Sequence, residues 1–459
     1  MKKKTKLVAL LMAMVLVMGP ATACGSDDSS SSDGNTTNEG NTTADQTTEE
    51  GGATAENPID VELTVWTPQE DQADYSNVDE KYGDSLIKYM CNQFNEEHPE
   101  WNITFKYAVC PESDAYKELS KDAAAGADVF MYAGDQAISL VNNGIALPLL
   151  GLDDVKANNG EKAMNAVTMK DPKTGDVGTY GVPFTPNTWF MYYDSSKYSE
   201  EEVKSLDTMM AKDIKGCDYN FSMDLDNGWY NAGFFYSNGC TVFGADGTNE
   251  EVCDFNSDKG LAAATAMLEL AQNKKFLCDD DAKAALSHMK KGNCAALTSG
   301  TWDAGNVKKV LKKNYAAAKL PTVTIGGQEV QLNSIGDYKY VGVNATTPTN
   351  TEHPEVAQAL AIYLGGEQCQ LDHFLARGVS PTWASLAENP DVAADVATTA
   401  LAEQNQYTAI TPTSEKFQNN FWPAMEALGK GMINGETNAD NLQAKLDGTV
   451  ENIVTELAK

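Results

Sequence analysis

Three neighbouring stretches decide the fold class: Val61-Glu-Leu-Thr-Val-Trp66, Ser85-Leu-Ile-Lys-Tyr-Met-Cys-Asn-Gln-Phe94 and Ile103-Thr-Phe-Lys-Tyr-Ala-Val109. Val61, Leu63 and Val65 alternate as one face of a half-buried strand that ends at Trp66. Leu86, Ile87, Met90 and Phe94 then recur at helical spacing, with Asp84 or Ser85 placed to cap the helix and His98-Pro99 to end it. Ile103, Phe105, Tyr107 and Val109 alternate again. A strand, a helix and a strand in this order predict a parallel pair joined by a right-handed crossover.

Working outward, the grammar continues with a helix over about 114–125, a strand over 128–132 and a helix closed by Gly144, so the first lobe reads as α/β. Beyond Tyr180 it returns with new content. Ser257 is placed to cap an alanine-rich helix, Asp279-Asp280-Asp281 precedes another that stops at Gly292, and Cys294 to Thr298 reads as a strand. The acidic triplet suits a helix N-terminus better than a metal. Val323-Thr-Ile325 and Val330-Gln-Leu332 flank Gly326-Gly327, the signature of a hairpin. From about Glu415 the chain reads as helical, and no repeat of 20 to 50 residues is present.

The N-terminal end carries a different message. A basic Met1 to Lys6, an apolar Leu7 to Met18 and Ala21-Thr22-Ala23-Cys24 are the parts of an export signal, and the apolar run is shorter than the about 20 residues a membrane span needs. Residues 1–23 are therefore expected to be a signal peptide. The same segment resembles bacterial lipoprotein signals, which implies a lipid on Cys24, although Ala21 stands where that family usually has Leu; a plain secretory signal is the alternative. Residues 24–58 hold almost no apolar side chain and read as a disordered tether.

Roughly 400 residues remain, too many for one core, so two domains are expected. With 34 basic against 66 acidic residues the formal charge is -32, which repels phosphate backbones, and no nucleic-acid partner is expected. Apart from Cys24 there are eight cysteines, none in a CxxC spacing; buried free thiols fit better than two or more bridges. The four histidines have no zinc-binding spacing. Asp224-Leu-Asp226-Asn-Gly228 has a faint likeness to a calcium loop, but glycine falls at the third ligand position and no Glu stands at the twelfth, so a turn is expected. No phosphate loop or nucleophile elbow occurs. Neither a metal, a cofactor nor catalysis is expected.

What recurs is an aromatic beside glycine or small polar residues at element ends: Trp66, Tyr132, Trp189, Trp229, Trp302, Trp383 and Trp422. Trp302 lies in Ser299-Gly-Thr-Trp-Asp-Ala-Gly305, between a strand and a helix. Flat rings with carboxylates and amides nearby suit a sugar, whose ring has an apolar face and a rim of hydroxyls. Any one of these tryptophans is equally a packing residue.

Several stretches together resemble the extracellular solute-binding proteins of ABC importers, in particular their maltose- and maltodextrin-binding branch: Leu63-Thr-Val-Trp66, Ala127-Asp-Val-Phe-Met-Tyr-Ala-Gly-Asp135, Tyr180-Gly-Val-Pro-Phe184 with Tyr192-Tyr193, Leu297-Thr-Ser-Gly-Thr-Trp302, Val341-Gly-Val-Asn344 and Phe421-Trp422. The resemblance implies a two-lobed α/β fold of the type II periplasmic-binding-protein kind. Its N-terminal lobe would comprise 59–186 and 341–390, and its C-terminal lobe 187–340 and 391–459. Hinge crossings would fall near 185–189, 338–342 and 389–391. It also implies that Trp229, Trp302 and Trp422 from the second lobe, with Trp66 and Tyr132 from the first, stack on glucose rings. Hydroxyl ligands would be Glu70 or Asp71, Asp135, Gln136 and Asn187, with Asp303 beside Trp302. The chain departs from the branch in having Asp71 and Gln136 where basic side chains are usual and Asn187 in place of a glutamate. Partners implied are a malto-oligosaccharide and the membrane subunits of an ABC permease, with the binder a monomer held by its lipid on the outer face of the cell membrane. Another oligosaccharide (xylo- or galacto-), a surface adhesin without a transporter, and a glycoside hydrolase with paired carboxyls are the competing readings.

Overall fold

The computed structural model describes residues 53–456, other than Asp246, Asp280 and Asp281. The signal segment, Cys24 and most of the tether lie outside the described residues.

Strands β1 (Ile59–Thr67) and β2 (Trp101–Val109) run parallel over their whole length, and β3 (Val129–Ala133) joins β1 on its other side, also parallel. This is the arrangement that the opening alternation predicts. The connecting helix α1 (Leu86–Glu97) starts where Ser85 accepts the Lys88 N–H, and it buries Leu86, Ile87, Met90 and Phe94. The next helix is shorter than the sequence suggests. It ends at Leu119, because Asp122 caps a separate turn at Ala123–Ala125 and so offers the backbone a local alternative to a continued helix. After β3, Gly134–Gln136 form one tight turn that leads into α2 (Ala137–Asn142).

Strand β4 (Val182–Asn187) then carries the chain out of this lobe: Phe184 packs in the first core, while Trp189, two residues past the strand, is fully buried in the second. The second sheet contains β5 (Phe190–Asp194), β6 (Phe221–Met223), β7 (Phe276–Cys278), β8 (Ala296–Ser299) and β9 (Tyr315–Ala318), in the spatial order β9-β5-β8-β6-β7. Its helices include α3 (Gly228–Ser237), α4 (Asp258–Ala271), capped by Ser257, and α5 (Lys283–Lys291), closed by left-handed Gly292. Asp279 accepts the Ala284 and Ala285 N–H groups at the start of α5, a helix-terminus role; Asp280 and Asp281 lie outside the described residues. Strands β10 (Thr322–Ile325) and β11 (Gln328–Gln331) form the expected hairpin, with Gly326 and Gly327 both at positive φ.

The long strand β12 (Ser334–Val343) returns to the first lobe: Ile335 belongs to the second core and Val341 to the first. It pairs antiparallel with β3 and β4 and, at its start, parallel with β13 (Thr408–Ile410). A third passage lies between Trp383, packed on the first core, and Ala397, buried beside the second sheet. The last helices, α6 (Trp422–Ile433) and α7 (Leu442–Val454), close the second lobe. No helix among the described residues is long and apolar enough to cross a membrane. The eight described cysteines are free thiols, six of them buried.

Candidate functional site

Between the lobes, beside the adjacent hinge strands β4 and β12, lies a narrow pocket lined by Phe184, Thr185, Pro186, Lys339, Glu112, Arg377 and Val379 on one side and by Thr301 and Trp302 on the other. Trp302 reaches it because the turn after β8 passes through Gly300. A Cβ there would stand 2.0 Å from the indole, so only glycine lets the ring lie over its own backbone. Lys339 spans the pocket. Its ammonium donates to Glu112 at 3.0 Å and stands 5.6 Å from the centre of the Trp302 ring.

Trp229 and Trp422 pack against each other at a tilt, with ring centres 5.8 Å apart, both only partly buried. A π-helical turn, Phe417–Phe421, precedes Trp422; the Phe417 and Phe421 rings stack at 4.3 Å and the Trp422 ring stands edge-on to both. This turn also ties the lobes together. Ser139 donates to Gln418 at 2.9 Å, Asn142 to Glu415 at 2.8 Å, and the Trp422 indole N–H to Asp135 at 3.3 Å.

The remaining site candidates divide sharply by environment. Glu70 is exposed just after β1, Trp66 is half-buried against the core around Tyr340, and Asp303 accepts Ser299 Oγ at 2.7 Å beside Trp302. Asn187 is nearly buried and donates to Asp337 at 2.7 Å. Three candidates are taken out of the cleft lining by their partners. Tyr132 is fully buried, with its hydroxyl donating to the Tyr180 carbonyl and its ring stacked on Tyr340. The Gln136 amide is spent, accepting from Tyr116 N–H and donating to the Glu112 carbonyl. Asp71 is fully buried against Arg377 and His373. The resemblance placed these three in the cleft, but each meets a partner within the first lobe instead.

Two opposite electrostatic sites result. Burial pushes the Asp71 carboxyl up, yet Arg377 and His373 together outweigh that and hold it well below the usual range. At Asp135 burial prevails over the Trp422 N–H and pushes the carboxyl up to about 6. Burial and the neighbouring Asp135 push Asp337 well above the usual range. Sequence reasoning missed Glu112, Lys339, Asp337 and Arg377. One signal was available: Arg377 is the single arginine among 34 basic residues. The Asp224–Asp226 segment is a turn that starts α3, with Asn227 capping Trp229 N–H. The two carboxylates cluster with Cys278, whose thiol, pushed up to about 12 chiefly by burial, donates to Asp226 at 3.3 Å.

Two α/β lobes, three passages of chain between them and an interlobe pocket define a protein built to hold a ligand between its halves. The chain belongs to the bacterial extracellular solute-binding proteins, whose family model matches residues 89–400. It is similar to the galactooligosaccharide-binding protein of Bacillus subtilis (strain 168), 24% identical over 382 residues, which covers 80% of this chain and 83% of that one. A chain solved with acarbose is 36% identical, covering 85% of this chain and 98% of that one at a TM-score of 0.76. The maltodextrin-binding protein MalE1 from L. casei BL23, solved without ligand, is 26% identical, covering 87% and 100% at 0.71. The fold is thus the two-lobed fold of the maltose-binding proteins.

Proposed function

We propose that the chain captures malto-oligosaccharides, α-1,4-linked glucans, between its lobes and delivers them to an ABC permease. The observation that carries this reading is the second lobe's set of partly exposed tryptophans: Trp302 lines the interlobe pocket, Trp422 reaches Asp135 of the first lobe, and Trp229 packs on Trp422. Such rings cover the apolar faces of sugars while carboxylates and amides take the hydroxyls. Trp66, Glu70, Asp135, Asn187 and Asp303 complete the proposed set. A ligand touched by both lobes favours their approach, since only then is every contact made. The relative with acarbose and the maltodextrin-binding relative support a glucan; the galactooligosaccharide-binding relative supports a galactosyl ligand as the second reading.

Outside the cell, export by residues 1–23 and a lipid on Cys24, with palmitate among its acyl chains, would keep the loaded monomer near its permease. The protein acts by binding rather than by catalysis, so maltotetraose should emerge unchanged from long incubation. Calorimetric titration with maltotriose, maltotetraose, xylotriose and galactosyl-lactose tests the ligand class. Saturable heat with the maltose series alone is expected; saturation by the galactosyl or xylosyl sugars alone would overturn the glucan reading. A mass spectrum of the membrane fraction showing an unmodified Cys24 would remove the anchor.

A further inference from the structure

Asp337 is 5% exposed and lies on β12 directly opposite Asn187 of β4. Its Oδ1 accepts the Asn187 Nδ2–H at 2.7 Å, and its Oδ2 accepts the Asp135 backbone N–H at 2.8 Å. Gly134 makes this approach possible: a Cβ there would stand 3.2 Å from Asp337 Oδ2 and 2.8 Å from the Tyr340 ring. One carboxyl group therefore holds two residues of the proposed site, from two separate segments.

We propose that Asp337 is a positioning residue that fixes which end of the Asn187 carboxamide a ligand meets. With the amide NH2 held inward, the carbonyl oxygen is the end offered to a sugar hydroxyl, so position 187 acts as an acceptor. Both Asp337 oxygens accept in this arrangement, and with Oδ1 unprotonated, turning the amide over would set the Asn187 oxygen against it in a buried place. The other polar neighbours are committed. The Tyr132 and Tyr340 hydroxyls donate to backbone carbonyls, Lys339 is paired with Glu112, and the Trp422 N–H reaches Asp135. The assignment deepens, and rests on, the reading of the cleft as a sugar site. It also gives a reason for the departure at Asn187: an amide oriented by a carboxylate supplies the same acceptor that a glutamate would.

The test is calorimetric titration of maltotriose into the wild type, Asp337→Asn, Asn187→Asp and the double variant, with melting curves for all four. The amide introduced by Asp337→Asn accepts the Asp135 N–H through its oxygen and so turns its NH2 toward Asn187, which must then point its own NH2 into the cleft. Affinity is expected to fall about tenfold or more, the size of one lost hydrogen bond with an unmatched polar group. Adding Asn187→Asp restores an acceptor on both sides of residue 187, and affinity should return to within about threefold of the wild type, since each group again has its partner. A merely structural role for Asp337 would not produce this rescue. Wild-type affinity in Asp337→Asn, or a double variant as weak as that single one, overturns the assignment alone; a wild type that binds no maltotriose overturns the sugar reading and the assignment with it. Should Asp337→Asn not fold, Asn187→Asp carries the test. Two facing carboxyls need a shared proton, so its affinity should weaken between pH 5.5 and pH 8 by more than the wild type's does, and a pH response equal to the wild type's would count against the proposal.

Discussion

Asp71 follows β1 and Asp135 follows β3, two acidic residues at the carboxyl ends of paired parallel strands, and they end in opposite surroundings. Asp71 has Arg377 and His373 against it and no access to solvent. Asp135 has a second carboxyl, Asp337, on its backbone N–H and a tryptophan N–H from the other lobe on its side chain. The first is a buried ion pair made through Oδ1, with Oδ2 left without a hydrogen-bond partner among the described residues. The second is a polar group kept at some cost in the gap between lobes, which is what a binding residue requires and a structural residue avoids.

The comparison breaks most directly at Arg377. Arg377→Ala leaves the buried Asp71 charge with only His373 against it and should cost about 3 to 5 kcal/mol in denaturant unfolding; a loss below about 1 kcal/mol would mean that Asp71 is solvated after all. The same contrast predicts opposite responses to acid. Asp135 and Asp337 bind protons more tightly folded than unfolded, so their penalty is complete only above their raised folded values, about 6 for Asp135, and is relieved as pH falls through them toward the ordinary carboxyl range. Asp71 is the reverse: its contribution is present above the unfolded carboxyl pKa and is lost only in strong acid. Between pH 7.5 and 5 the unliganded protein should therefore gain about 1 kcal/mol, a shift that Asp337→Asn reduces. A melting temperature that falls steadily over this range would contradict the account. The smallest effect concerns the contact between lobes. Gln418→Ala removes the bond from Ser139 and should loosen the unliganded pair of lobes by about 0.5 to 1.5 kcal/mol, read as a larger radius of gyration by solution scattering.

Much of the architecture was legible before any coordinates. Alternation at Val61 to Val65 and at Ile103 to Val109, the Ser85 and Ser257 caps and the Gly326-Gly327 turn are local signals, and local physics realised each of them. In the second lobe the partial exposure of Trp302 and Trp229 was legible, since they sit among glycines and polar residues that cannot bury a whole indole. The first lobe was less legible. Nothing near Asp71 announces a partner 306 positions away, and nothing near Gln136 or Tyr132 shows that their polar atoms are spent on Glu112 and Tyr180. Burial there is decided by tertiary contacts, so residue type and strand-end position were insufficient. Asp337 and Lys339 escaped for the related reason that a hinge strand reads as core.

The most direct test of the central claim is a calorimetric titration of maltotriose into the wild type and Trp302→Ala side by side. The account predicts saturable one-to-one binding by the wild type, and a variant that keeps its melting temperature while binding about 1 to 3 kcal/mol more weakly. Equal affinities, or no binding by either protein, would contradict it.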